Sequence, residues 1–187
     1  TMGIYVNPSE ALLRMSVNSR IYVDKSMLIH ELNQLLNSED RFVCVARPRR
    51  FGKSMAGNMI AAYYGKKANS RPIFEKLKIA QSPDFETYLN AFNVIKLDVN
   101  GFYSNSNRNE DIVPLFTAKV RRELQREFPD CGLEASDALP DCIEKIYAET
   151  GEQFVMILDE YDVLVREEVK TSIFDPYLSF LNGMFKN

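Results

Sequence analysis

The chain has 187 residues, of which 45% are hydrophobic and 26% are charged, and its formal net charge is −3. These values fit one globular domain, or one domain with an attached segment, and they exclude an overall basic field that attracts nucleic acid. One histidine and three cysteines without C-x-x-C spacing leave little material for a zinc centre or a histidine triad. No apolar run approaches the roughly 18 residues of a membrane span, and no signal peptide is evident, so we expect a cytoplasmic protein without membrane contact.

The N-terminal part of the chain favours two helices. Pro8 and Ser9 can begin a short helix that ends near Met15, and Ser26 can cap a second one. The second helix ends near residue 36, and its leucines share one face: Leu28, Leu32, Leu35 and Leu36. We expect residues 1–40 to form a helical segment that leads into a core domain over residues 41–187.

Three mostly apolar runs predict strands that are buried on both faces, as in a parallel sheet: residues 42–46, 92–99 and 154–159. Helical patterns separate these strands, over residues 53–64, 110–128 and 137–150. The pairs Ser82-Pro83 and Asp175-Pro176 both have the form of an N-cap followed by proline at the first helical position, so the last helix should begin at Pro176. Strands separated by helices predict an α/β fold with a mainly parallel sheet.

Residues 47–54 read R-P-R-R-F-G-K-S, which resembles the end of the phosphate-binding pattern G-x-x-x-x-G-K-[ST], although Arg47 replaces the first glycine. The stretch lies between a predicted buried strand and a predicted helix, which is the context that the motif requires. Backbone N–H groups at a helix start attract phosphate, and Gly52 permits its close approach. We expect Lys53 to reach the β- and γ-phosphates of ATP and Ser54 to hold Mg²⁺.

The whole loop and the first residues of the following helix are predicted to contact the nucleotide: Pro48, Arg49, Arg50, Phe51, Gly52, Lys53, Ser54 and Met55. One alternative is a solvated basic turn. Another is a phosphate- or nucleic-acid-binding module that uses Arg49 and Arg50, although no aromatic residues alternate with them to stack on bases.

A second motif follows the third predicted strand, which ends in Asp159 and Glu160. This arrangement is typical of a Walker B element. Asp159 would hold Mg²⁺ through its water shell, and Glu160 would accept a proton from the water that attacks the γ-phosphate. The alternative is an acidic turn that caps a helix.

Three motifs in the same order resemble those of the AAA-ATPase-like family of bacterial proteins, within the AAA+/STAND group: Y-V-D-K-S at 22–26, R-P-R-R-F-G-K-S at 47–54 and L-D-E-Y-D at 158–162. The resemblance implies a P-loop three-layer sandwich that binds ATP and Mg²⁺ and hydrolyses ATP to ADP and phosphate to drive a conformational change. Members often carry a C-terminal PD-(D/E)XK nuclease-like region that would supply contact with nucleic acid. In this family, arginine at position 47 is usual.

The resemblance also implies the strand order 5-1-4-3-2, in which a strand that follows the Walker B element lies between the Walker A and Walker B strands. We expect this chain to end before that strand. The Walker A and Walker B strands then pair directly, or a second copy fills the gap by self-association. Either arrangement predicts weaker nucleotide binding and slower hydrolysis than in a full-length protein. A nucleotide-dependent switch with little turnover and a small-molecule kinase are the remaining alternatives.

Several other polar residues are candidates for supporting roles. Asp98 ends the middle strand and is either a sensor of the nucleotide or a capping residue. Asp24 and Lys25 lie near the adenine or ribose, or are an N-cap and a surface lysine. Asp162 can orient Glu160. Three arginines are equal candidates for a residue that acts on a neighbouring molecule's nucleotide: Arg121, Arg122 and Arg166.

Overall fold

A computed structural model describes residues 3–18, 24–36, 42–47, 53–105 and 111–185. Its sheet has three parallel strands, β1 (Phe42–Arg47), β2 (Asn93–Asp98) and β3 (Phe154–Asp159), in the order β1-β3-β2. The predicted α/β class is therefore confirmed, and the small open sheet is consistent with an incomplete P-loop-like sandwich. Strand β1, which precedes the G-K-S motif, pairs directly with β3, which precedes the Asp-Glu pair, and this is the first of the two arrangements expected.

Helices cover both faces of the sheet. In the described part of the chain they are α1 (Ala11–Val17), α2 (Met27–Asn33), α3 (Lys53–Tyr64), α4 (Arg71–Phe74), α5 (Phe85–Tyr88), α6 (Val99–Asn105), α7 (Ile112–Glu127), α8 (Leu139–Thr150), α9 (Val163–Arg166) and α10 (Thr171–Phe185). A 3₁₀ turn spans Lys78–Gln81. The predicted helices at 53–64, 110–128 and 137–150 correspond to α3, α7 and α8.

The apolar run of β3 lacks alternation because each face of the strand is buried in a different core. Phe154, Met156 and Leu158 pack into a cluster with residues of α7, α8 and α10. Val155 and Ile157 pack into a second cluster with residues of α3, α4 and α5. All six residues of β3 are buried, so the strand is the centre of a three-layer structure.

The N-terminal segment covers the outer edge of β2. Val6 forms an antiparallel bridge with Ile95, and the amide of Lys96 donates to the carbonyl of Tyr5 at 2.8 Å. Asn7 extends this contact, since its side chain accepts a hydrogen bond from the Val94 amide at 2.8 Å. The segment thus satisfies backbone groups that an exposed edge strand would present to other chains.

Both predicted proline starts are wrong. Helix α5 begins at Phe85, two residues after Pro83, because the Ser82 hydroxyl bonds to His30 and Asp84 instead of capping amides. Helix α10 begins at Thr171 and contains Pro176. Its first turn buries Ile173, and burial of such a side chain stabilises by about 1.5–3 kcal/mol, which offsets much of the roughly 3 kcal/mol cost of an internal proline.

The predicted face of the second helix is only partly correct. Leu32 and Leu36 pack, partly buried, against the second core, whereas Leu28 and Leu35 are exposed and α2 also buries Ile29 and Asn33. The Asn33 side chain accepts a hydrogen bond from Tyr64 in α3, so a polar residue shares this interface with the leucines. No helix in the described ranges has the length and apolar character needed to cross a membrane.

Candidate functional site at the carboxyl edge of the sheet

The last residues of the three strands lie side by side. Arg47 of β1 and Asp98 of β2 are both register partners of Asp159 in β3. Because the strands are parallel, all three ends lie at the carboxyl edge of the sheet, where ligands of open α/β folds bind. Helix α3 begins at Lys53, six residues after β1 ends at this edge.

Asp159 is the most buried of the three residues that end the strands, with 8% of its surface exposed. Its Oδ1 accepts a hydrogen bond from Nη1 of Arg47 at 3.2 Å, and its Oδ2 lies 3.6 Å from Nζ of Lys96. Each carboxylate oxygen thus faces one cation, and the two cations come from the strands on either side of β3. This pairing is what permits a carboxylate to be buried here.

Burial raises the pKa of Asp159 above its ordinary value, and the neighbouring Asp98 carboxylate adds to the rise. Lys96 and Arg47 oppose the rise without cancelling it. The ionised form of Asp159 is therefore not fully compensated by its surroundings. A further cation beside the carboxylate would stabilise it.

Gly57 brings α3 into contact with this carboxylate. A Cβ atom built on Gly57 would lie 2.3 Å from Oδ2 of Asp159 and 3.0 Å from its Cγ. Any other residue at position 57 would displace the carboxylate, the helix or both. The absence of a side chain here is what allows Asp159 to pack against the first turns of α3.

Three of the loop residues predicted to contact nucleotide, Lys53, Ser54 and Met55, form the first turn of α3, and only their backbone is described. Pro48, Arg49, Arg50, Phe51 and Gly52 lie outside the described residues, as does the extended piece expected at residues 21–23. Gly57 lies against the Asp159 carboxylate, and Ser54 lies about one turn earlier in the same helix.

Glu160, the predicted general base, follows β3 directly and has a φ of 54°. This left-handed conformation is uncommon for residues other than glycine and costs on the order of 1–3 kcal/mol. Such strain concentrates at functional sites, where it orients a side chain that a continued strand would send elsewhere.

Two other candidate carboxylates, those of Asp98 and Asp24, accept hydrogen bonds from backbone amides. Asp98 folds back onto α6, where its Oδ1 accepts from the Gly101 amide at 3.1 Å. Asp24 accepts from the amides of Ser26 at 2.8 Å and Lys78 at 2.9 Å, so its carboxylate joins the start of α2 to the 3₁₀ turn at Lys78–Gln81.

Two of the three candidate arginines have partners within the chain. Arg166 lies 3.4 Å from Asp162, four residues earlier. Arg121 donates to the carbonyl of Asp137 at 2.8 Å, which ties α7 to the segment before α8. Arg122 is exposed on α7.

Sequence reasoning missed Gly57 and Lys96. A glycine three residues after the G-K-S signature, inside a helical pattern, is a signal of close packing that could have been used. Lys96 interrupts an otherwise apolar strand, and a lysine in that position needs a partner to be buried. Each signal indicates that the residue has a close neighbour, but the sequence does not say which one. The register of β2 against β3 identifies the neighbour as Asp159.

We predict that Arg47→Ala lowers the free energy of unfolding by about 1–3 kcal/mol, because it leaves a buried carboxylate with one fewer hydrogen-bond donor. Urea unfolding of Arg47→Ala, Asp159→Asn and the double variant measures the coupling. Since the pair interacts directly, the double variant should lose less than the sum of the single losses. Additive losses would contradict the pairing. Arg71→Ala, which breaks an exposed pair with Glu86, is the control and should leave the free energy of unfolding nearly unchanged.

The residues at this edge fit a magnesium ion. Mg²⁺ in proteins usually takes one or two carboxylates and completes its shell with phosphate oxygens and water. Within the described ranges, no three His, Cys, Asp or Glu side chains converge into a complete metal cage. Asp159 is one incompletely compensated carboxylate, and a hydroxyl-bearing residue, Ser54, lies in the first turn of the helix that packs on it.

A family model described as predicted AAA-ATPase matches residues 11–187 of the chain. Neither a curated protein nor a solved structure matches it significantly.

Proposed function

Because the chain belongs to the predicted AAA-ATPase family, we propose that it binds ATP with Mg²⁺ at the edge where β1, α3 and β3 meet. It then hydrolyses ATP to ADP and phosphate to drive a conformational change. The observation that carries this proposal is the contact of Gly57 with Asp159, since it joins the helix of the G-K-S motif to the strand of the D-E motif. The division into a helical segment at 1–40 and a core at 41–187 is part of the same proposal.

Each part of the site has a role in this proposal. Residues Pro48 to Met55 are assigned to phosphate binding, and the amides at the start of α3 would donate to the phosphates. Lys53 neutralises the terminal phosphates. Ser54 and Asp159 would hold Mg²⁺, which supplies charge neutralisation of the phosphates when it is bound. Arg47 and Lys96 fix both oxygens of Asp159, so the carboxylate is oriented before any ligand arrives.

Glu160 activates water in this proposal. Its side chain starts from the residue next to Asp159, and its left-handed backbone turns it out of the line of β3. As a general base, it accepts the proton of the attacking water, a contribution of roughly 10²- to 10⁴-fold to the rate. The reaction otherwise depends on positioning and charge neutralisation by the loop.

The experiment that tests this function is phosphate release by Glu160→Gln. The variant keeps the shape of the side chain and removes its basicity, so ATP affinity should stay within about threefold while turnover falls roughly 10²-fold or more. Glu168→Gln is a matched control, because Glu168 is an exposed glutamate that also has a left-handed backbone, with φ of 50°. Equal phosphate release by Glu160→Gln and the wild type would remove Glu160 from the mechanism.

A further inference from the structure

A cavity of about 620 Å³ adjoins the proposed nucleotide site. The N-terminal segment, α3, the end of β2, α6 and α7 contribute to its wall, and Lys96 and Asn58 are among its polar lining residues. This volume lies within the roughly 300–1,000 Å³ range of small-molecule sites. Lys96 therefore connects the cavity to the proposed nucleotide site, because its ammonium group lies beside Asp159 and its side chain lines the cavity.

The lining includes large apolar side chains that remain in water. Ile4 is 79% exposed, Leu12 60% and Leu115 37%, and all three line the cavity. They come from the N-terminal part of the chain and from α7, more than 100 residues later, so the fold gathers them at one place. Exposed apolar side chains gathered around a concave surface are typical of a binding site for a molecule with an apolar body.

The charged side chains among the described residues that line the cavity are two lysines, Lys96 and Lys119, and one aspartate, Asp98. Lys119 also lines it, and its Nζ lies 5.7 Å from the centre of the Phe102 ring. Among the described residues, no carboxylate forms an ion pair with Lys119. The carboxylate of Asp98 accepts a hydrogen bond from the Gly101 amide at the start of α6, which holds it against that helix.

We propose that this cavity binds a small anionic ligand with an apolar body, and that Lys96 couples its occupancy to Asp159. The apolar body contacts Leu12, Leu115 and the Phe102 ring. The anionic head, a carboxylate or a phosphate, lies between Lys119 and Lys96. The coupling, but not the binding, rests on the proposed nucleotide function.

The coupling follows from the shared lysine. An anion beside Lys96 draws its ammonium group away from Asp159, whose carboxylate then attracts a divalent cation more strongly. Ligand in the cavity therefore strengthens the binding of ATP with Mg²⁺. By thermodynamic reciprocity, ATP with Mg²⁺ strengthens binding in the cavity by the same factor.

The binding is tested on the whole chain with 1-anilinonaphthalene-8-sulfonate, an aromatic anion that fluoresces in apolar surroundings. We expect saturable fluorescence that decanoate displaces and that uncharged 1-decanol does not. Leu115→Glu should lower the affinity for the probe at least tenfold, because it puts a negative charge at the cavity. Lys119→Gln should lower it roughly threefold, the effect of a partly exposed ion pair.

Val165→Glu is the matched control, since Val165 is exposed on α9 and does not line the cavity. Circular dichroism checks that each variant is folded, and Leu12→Glu replaces Leu115→Glu if the latter is not. Equal loss of affinity in the cavity variant and in Val165→Glu, or equal displacement by decanoate and 1-decanol, would overturn the proposed site.

The coupling is tested by titrating ATP with Mg²⁺ in the presence and absence of decanoate. The affinity for ATP should rise at least twofold with decanoate in the wild type and stay constant in Leu115→Glu. An unchanged affinity in the wild type would overturn the coupling. Absence of any ATP binding would overturn the nucleotide function and with it the coupling, whereas the fluorescence results would still decide whether the cavity binds anions.

Discussion

Gly57→Ala is expected to lose most Mg²⁺-dependent turnover of ATP. The new methyl group would lie 2.3 Å from Oδ2 of Asp159, far inside van der Waals contact, and the carboxylate is held from both sides by Arg47 and Lys96. The collision therefore shifts Asp159 relative to α3. A displacement of about 1 Å at a catalytic centre costs roughly 10²-fold in rate, and Mg²⁺ tolerates little error in its ligands.

Gly183→Ala is a suitable control for this variant. Gly183 also lies within a helix, α10, and a Cβ atom built there meets nothing within 4 Å. Replacing this glycine should stabilise the protein by roughly 0.5–1 kcal/mol through helix propensity and leave phosphate release unchanged. Gly57→Ala with the turnover of the wild type would show that the contact between α3 and Asp159 has no part in the reaction.

Lys53→Ala should lower the affinity for ATP about 10- to 100-fold. The reason is the loss of the cation assigned to the β- and γ-phosphates, since a hydrogen bond to a charged group contributes about 1.5–3 kcal/mol. Fluorescence titration with a labelled ATP analogue measures the change.

Lys76→Ala removes an exposed lysine just after α4 and serves as the control for net charge. It should leave the affinity within about twofold, since a single distant surface charge is largely screened at physiological ionic strength. If Lys53→Ala and Lys76→Ala bind ATP with the same affinity, the G-K-S motif is not the phosphate site.

The sheet was predictable from sequence because burial on both faces leaves a readable pattern. β3 is apolar from Phe154 to Leu158, and each of these residues packs into one of two cores. The helices α7 and α8 were predictable for a related reason, since their apolar stripes recur at the helical period. Phe116, Val120 and Leu124 of α7 are fully buried, as their spacing indicated.

Local signals failed where contacts distant in sequence decided the structure. Pro176 signals a helix start, yet burial of Ile173 extends α10 before it. The leucine pattern at the second helix indicated a core face, yet only Leu32 and Leu36 pack inward, and the buried Asn33 instead bonds to Tyr64. The ion pairs of Asp159 with Arg47 and Lys96 depend on the strand order, which no single segment encodes. Self-association and contact with nucleic acid stay predictions.

The central claim is that this chain binds ATP with Mg²⁺ between α3 and Asp159, and calorimetric titration with ATP tests it most directly. Titrations of the wild type and of Asp159→Asn are compared in the presence of Mg²⁺ and in the presence of a chelator. For the wild type, the account predicts saturable binding of one ATP per chain that requires Mg²⁺. For Asp159→Asn, it predicts that most of the affinity is lost and that the remaining binding does not depend on Mg²⁺. Binding that is equal in the two proteins, or a wild type that gives no saturable heat with ATP and Mg²⁺, would contradict it.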